Sequence, residues 1–105
     1  MKKNKSMGYV MASKRLVDEK LPVRFMYREK GEGDDSGWRF FSGTEDQNYT
    51  DDPNNIGIYD ITTILAIDKT ITPYLDSAEG IAFEREEGTG TFKISSDFGF
   101  VPEEQ

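Results

Sequence analysis

One short segment constrains this chain more than any other: Gly37-Trp38-Arg39-Phe40-Phe41-Ser42-Gly43. Glycine bounds it at both ends, and its bulky residues alternate. Trp38 and Phe40 fall on one face, Arg39 and Phe41 on the other, as a strand requires. The only tryptophan of the chain is in it, and Trp38 is expected mainly in the core. Upstream, Val23 to Arg28 also alternates, with Val23, Phe25 and Tyr27 on one face and Arg24, Met26 and Arg28 on the other. Between the two runs, Glu29 to Ser36 carries two glycines and four acids and reads as a loop. The pair is expected to form an antiparallel hairpin.

What else can be built is bounded by size. At 105 residues and 12.0 kDa the chain is one domain's worth of protein, able to bury roughly two-thirds of its unfolded surface. Hydrophobic residues reach only 35%, which leaves no surplus for a second core. Cysteine and histidine are both absent. Disulfides, thiol nucleophiles, thiolate or imidazole metal ligands and histidine acid–base catalysis are therefore excluded.

The net charge of −7 is unevenly spread. Residues 1–30 hold nine Lys/Arg against three Asp/Glu, a net +6, and residues 31–105 hold four against seventeen, a net −13. So acidic a body repels phosphate backbones and disfavours nucleic acid. It attracts a basic partner, although solubility alone would produce the same total. The basic start Met1 to Lys5 is followed by no apolar signal region, since Lys14 and Arg15 interrupt it. No window approaches a membrane span, and the cytoplasm is the expected location. Residues 1–8 read as a flexible tail, 9–100 as one domain and 101–105 as a second flexible tail.

Along that domain, Tyr9 to Ala12 reads as a strand. Ser13 is placed to cap a short helix over 14–18, with Leu16 and Val17 facing inward. Thr44 is a candidate cap for a helix over 45–49, and Asp52-Pro53-Asn54-Asn55 is turn chemistry. Ile56 to Asp68 is ambiguous. Its β-branched run at 61–64 opposes a helix, while Ile58, Ile61, Ile64 and Leu65 match helical spacing. The spacing favours a helix over 60–67 with Asp60 as its cap. Thr72-Pro73-Tyr74-Leu75 reads as a helix start with proline first. Ile81 to Glu86 and Thr91 to Ser95 flank Gly88-Thr89-Gly90 as a second hairpin, and Phe98 and Phe100 are candidates to dock from the tail. The fold class is α+β: a mainly antiparallel, twisted sheet of about four to five strands with two or three short helices.

Motifs that would carry chemistry fail on spacing. Gly88-Thr89-Gly90 opens like a dinucleotide fingerprint, but Lys93 stands where the third glycine belongs and no helix follows. Asp46, Asn48, Asp51, Asp52, Asn54 and Asn55 are rich in oxygen, yet no register puts glycine sixth and glutamate twelfth, as a calcium loop needs. Neither a metal nor a cofactor is expected. Carboxylate pairs are plentiful enough for a carboxylate-only hydrolase, but so short a chain leaves little room for a cleft. A non-catalytic role is favoured.

The densest segment runs from Asp34 to Asp46, where Trp38 and Arg39 sit between two acidic loops. Together with Met26-Tyr27-Arg28-Glu29, Tyr49 and Asn54-Asn55-Ile56, its Asp35-Ser36-Gly37-Trp38-Arg39-Phe40-Phe41-Ser42-Gly43-Thr44-Glu45 resembles the immunity protein 33 family. Val10 to Arg15 and Ala82-Phe83-Glu84-Arg85 look like that family's first and last blocks. The resemblance covers roughly residues 9–86 and stops before Gly88. It implies a small bacterial α+β protein of the polymorphic-toxin immunity type, which binds a protein toxin and blocks it inside the producing cell. Steering would favour a basic toxin. The expected partner surface comprises Asp34, Asp35, Arg39, Glu45, Asp46, Tyr49, Asp51 and Asp52, with Arg39 and Tyr49 as anchors and the carboxylates as a steering rim. The alternative is a stand-alone regulatory or ligand-binding domain.

Overall fold

A computed structural model describes residues 8–95. The expected C-terminal tail, the docking of Phe98 and Phe100, and all of the N-terminal tail but Gly8 lie outside those residues.

The chain enters as β1 (Tyr9–Ser13) and turns at once into α1 (Lys14–Glu19). Ser13 makes that turn: its Oγ accepts from the Leu16 N–H at 3.0 Å, satisfying one of the first-turn donors that a helix leaves open. At the other end Lys20 adopts left-handed angles. The N–H groups of Lys20 and Leu21 close back onto the carbonyls of Val17 and Leu16, a Schellman stop made without glycine. β2 (Phe25–Arg28) and β3 (Asp35–Phe41) follow as the expected antiparallel hairpin, with Tyr27 opposite Arg39 and Met26 opposite Phe40. α2 (Gln47–Asp51), β4 (Ile56–Asp60), α3 (Ile61–Ile67), β5 (Ala82–Arg85) and β6 (Phe92–Ile94) complete the order. Short 3-10 helices cover Pro53–Asn55 and Lys69–Tyr74.

All the described strands join one sheet in the order β4-β1-β3-β2-β5-β6. Only β1 and β3 run parallel, and every other neighbouring pair is antiparallel. The six strands among the described residues exceed the four or five expected, because β4 hides within the ambiguous 56–68 stretch. Ile58 matched helical spacing but lies in β4 and is 62% exposed. The helix itself begins at Ile61 with Asp60 as its cap, as expected. The β-branched run Ile61 to Ile64 forms helix all the same, because Ile64 is fully buried and packing outweighs the weak local preference.

The core lies on one face of the sheet. Val10, Ala12, Met26, Trp38 and Phe40 meet Leu16, Ile64, Ile71 and Leu75 from the helical layer, and Phe83 and Phe92 join them. Trp38 is fully buried, as expected. Its ring stacks on Phe40 and Phe83 at 5.9 and 6.5 Å, and its Nε1–H donates to the Leu75 carbonyl at 3.2 Å, so the one polar atom of the ring is satisfied. On β2 the core takes Met26, while Phe25 and Tyr27 face the other way and stay half-buried. The more apolar face of β2 is thus the outer one.

Two further expectations are corrected. Asp46, not Thr44, caps α2, with its Oδ1 accepting from the Tyr49 N–H at 2.8 Å. Pro73 lies inside the Lys69–Tyr74 turn, which Asp68 starts. Asp68 is nearly buried. It accepts from the Val23 N–H at 2.9 Å and pairs with Arg85, whose Nε donates to the Val23 carbonyl at 2.8 Å. This pair ties the helical layer to β5.

Candidate functional site

The face of the sheet away from the core is built around Arg39. Strand register lays a row across it: Ile58 beside Met11, Met11 beside Arg39, Arg39 beside Tyr27. Arg39 grips Asp35 with two bonds, Nη1 to Oδ1 at 2.9 Å and Nη2 to Oδ2 at 2.7 Å. Its Nε donates to Glu29 at 2.8 Å, and Nη1 also reaches the Trp38 carbonyl. Four of its five N–H groups are thereby taken up within the chain. Hydrogen bonds from the Arg39 guanidinium hold the Asp35 carboxyl below its ordinary value, against a smaller push upward from burial and with help from the Gly37 N–H. Burial pulls Arg39 down, but its bonds to Asp35 and Glu29 carry it above its ordinary value. Tyr27 stacks on Phe41 at 6.1 Å, nearly parallel. Its phenol is pushed up to about 12 by burial first and by the Glu29 charge second, with Arg39 opposing.

Gly37 makes this arrangement possible. Its φ is +92°, and a Cβ there would stand 2.0 Å from the Glu29 carbonyl oxygen. Here β3 carries an irregularity against β1, where two steps along β1 match four along β3. Asp35 and Arg39 both remain on the outer face.

At the far end of β3 a second carboxylate is used differently. Glu45 accepts from the Ser13 hydroxyl, from the N–H and hydroxyl of Ser42 at 3.0 and 2.8 Å, and from the Gly43 N–H at 3.0 Å. Burial pushes its carboxyl up, but the bonds from Ser13 and Ser42 outweigh that and leave it below the ordinary value. The Tyr49 hydroxyl accepts from the Arg15 N–H at 3.0 Å, and the Arg15 guanidinium lies 4.5 Å over the Tyr49 ring. Together these contacts hold the 42–49 segment and α2 against the start of α1.

The eight residues singled out from sequence therefore divide. Arg39 and Asp51 line one groove on the outer face, and Asp35 is held by Arg39 beside it. Glu45 and Tyr49 turn to internal partners. Asp46 and Asp52 are exposed and cap the starts of α2 and the Pro53–Asn55 turn. Asp34 is exposed beyond the start of β3, with its carbonyl bound to the Tyr9 N–H. Among the described residues Asp34, Asp46, Asp51 and Asp52 form no ion pair. Sequence reasoning missed Glu29, Met11 and Gln47 as neighbours of Arg39. Glu29 was within reach, since it follows Tyr27 by two positions and alternation puts both on one face. Met11 needed the β1–β3 pairing, and Gln47 the placement of α2, which no local pattern encodes.

Among the described residues, no group of three or more carboxylates is placed to hold a metal ion, and no helix is long and apolar enough to cross a membrane. In comparison with known proteins, the model of the immunity protein Imm33 domain matches residues 10–95. The match runs past the Ala82-to-Arg85 block and through β6. No curated protein and no solved structure matches.

Proposed function

The chain belongs to the Imm33 immunity protein family, and from that premise we propose that it is a non-catalytic partner protein that binds a cognate protein toxin and blocks it in the cytoplasm. The family match over residues 10–95 carries this reading. The surface supports it: Asp34, Asp46, Asp51 and Asp52 present carboxylates to solvent with no described cation against them. Such groups keep their field for an approaching basic surface. Arg39, Glu45 and Tyr49 fix the elements that carry those carboxylates, so the interface stands on preorganised structure.

The test is co-expression with the toxin gene encoded beside this one. The wild-type chain should restore growth, and the triple variant Asp46→Asn, Asp51→Asn, Asp52→Asn should restore it less. Failure of the wild-type chain against every adjacent toxin candidate would overturn the reading.

A further inference from the structure

α1, α3 and the Lys69–Tyr74 turn cover one face of the sheet, and the other face holds a groove of about 240 Å³ between β1, β3, β2 and α2. Met11, Tyr27 and Phe41 give it an apolar floor, while Glu29, Arg39 and Asp51 bring the charge. Pockets for small molecules run to roughly 300–1,000 Å³. This one is below that range and has room for a single long side chain.

We propose that this groove receives one arginine or lysine side chain of the protein partner. The proposal rests on the immunity-type reading and names where that reading's basic partner engages. Charge selects the occupant. Asp35 and Glu29 together outweigh the Arg39 guanidinium they grip by one negative charge, and Asp51 on α2 adds a second at the wall. Arg39 is consumed by those bonds, so it offers an anionic visitor little and leaves the groove net negative. The floor selects the shape. Methylene stems of arginine and lysine lie well on apolar surface while the charged end reaches a polar rim. An apolar side chain would satisfy the floor and leave the carboxylates desolvated without a partner, which is unfavourable.

The probe is Nα-acetyl-argininamide, titrated at low salt into the full chain and followed by NMR, with uncharged Nα-acetyl-citrullinamide as the matched control. The arginine probe should shift the amide signals of Met11, Tyr27, Phe41 and Gln47 together, and the citrulline probe should shift them weakly. Asp51→Asn, at an exposed position, should weaken the arginine probe by about fivefold, the upper end for an exposed ion pair. Gln47→Phe, also exposed, should block the groove and remove the response. Equal responses to both probes, or shifts spread over remote acids such as Asp34 and Glu86, would overturn the proposal. The growth assay separates the two readings. Full rescue by Asp51→Arg alongside full rescue by the wild type takes the groove out of the interface and leaves the immunity reading standing. A wild-type chain that never rescues strikes the immunity reading, while the two-probe titration still decides whether the groove prefers a cation.

Discussion

Carboxylates of one composition class do three different jobs here, and position alone decides which. Glu45 accepts hydrogen bonds from Ser13, Ser42 and Gly43, Asp35 is clasped by Arg39, and Asp51 stays open to solvent. Glu45→Ala should therefore lower unfolding free energy by about 1–3 kcal/mol, the cost of stranding hydrogen-bonded groups, measured by urea denaturation. Asp51→Ala should stay within about 0.5 kcal/mol of wild type. Asp35 and Glu45 also set the acid limit. Both are held below their ordinary values in the folded chain, so their contribution is complete above the unfolded value of roughly pH 4. It is lost as pH falls through the lower folded values. The urea midpoint should hold steady from about pH 7 to 5 and drop below about pH 4, and Asp35→Asn should show a shallower drop.

At the scale of elements, the two ends of β3 are held by different chemistry. The start depends on Gly37, whose substitution by alanine would force a Cβ against the Glu29 carbonyl in left-handed backbone. Gly37→Ala should cost more than the roughly 1 kcal/mol of a left-handed alanine alone, because the clash adds to it, and calorimetry should show the lower melting temperature. The end depends on the 42–49 segment folding back on Ser13. The Asp68–Arg85 pair behaves as a third fastening. Asp68→Ala leaves the largely buried Arg85 without its counter-charge and should cost about 3 kcal/mol, the lower end for breaking a buried pair. Elements with a local signature were readable beforehand: the Trp38 strand, the Ser13 and Asp60 caps and both hairpins. β4 was not, because a helix follows it directly at Ile61, so one apolar series spans two elements. The inner face of β2 was misleading for a related reason. Met26 is the core residue and the larger aromatics face out, where Tyr27 is half-buried by its stack on Phe41 and by the nearby α2. The groove was legible only in part. Alternation puts Arg39 with Phe41 and Tyr27 with Glu29, but α2 arrives through contacts of residues more than thirty positions apart, such as Arg15 with Tyr49.

For the whole molecule, the charge count alone favoured solubility as readily as partnership. The structure sorts the acids behind it, separating those consumed by Arg39, Arg85 and the backbone from those left facing water. Association with a basic partner should then depend on salt. Raising ionic strength from about 0.05 to 0.5 M should slow association about tenfold or more while changing dissociation much less, measured by stopped-flow mixing with the purified toxin. The order of synthesis adds a constraint of its own. Among the described strands β1 is made first, yet its two neighbours in the sheet are β3 and β4, the latter ending at Asp60. Its pairing with β3 can close once Phe41 is made, but its other edge stays open until β4 is complete. A nascent chain stalled before β4 therefore exposes both that edge of β1 and the apolar side of the Trp38 strand, and proteases and aggregation compete with folding during that interval.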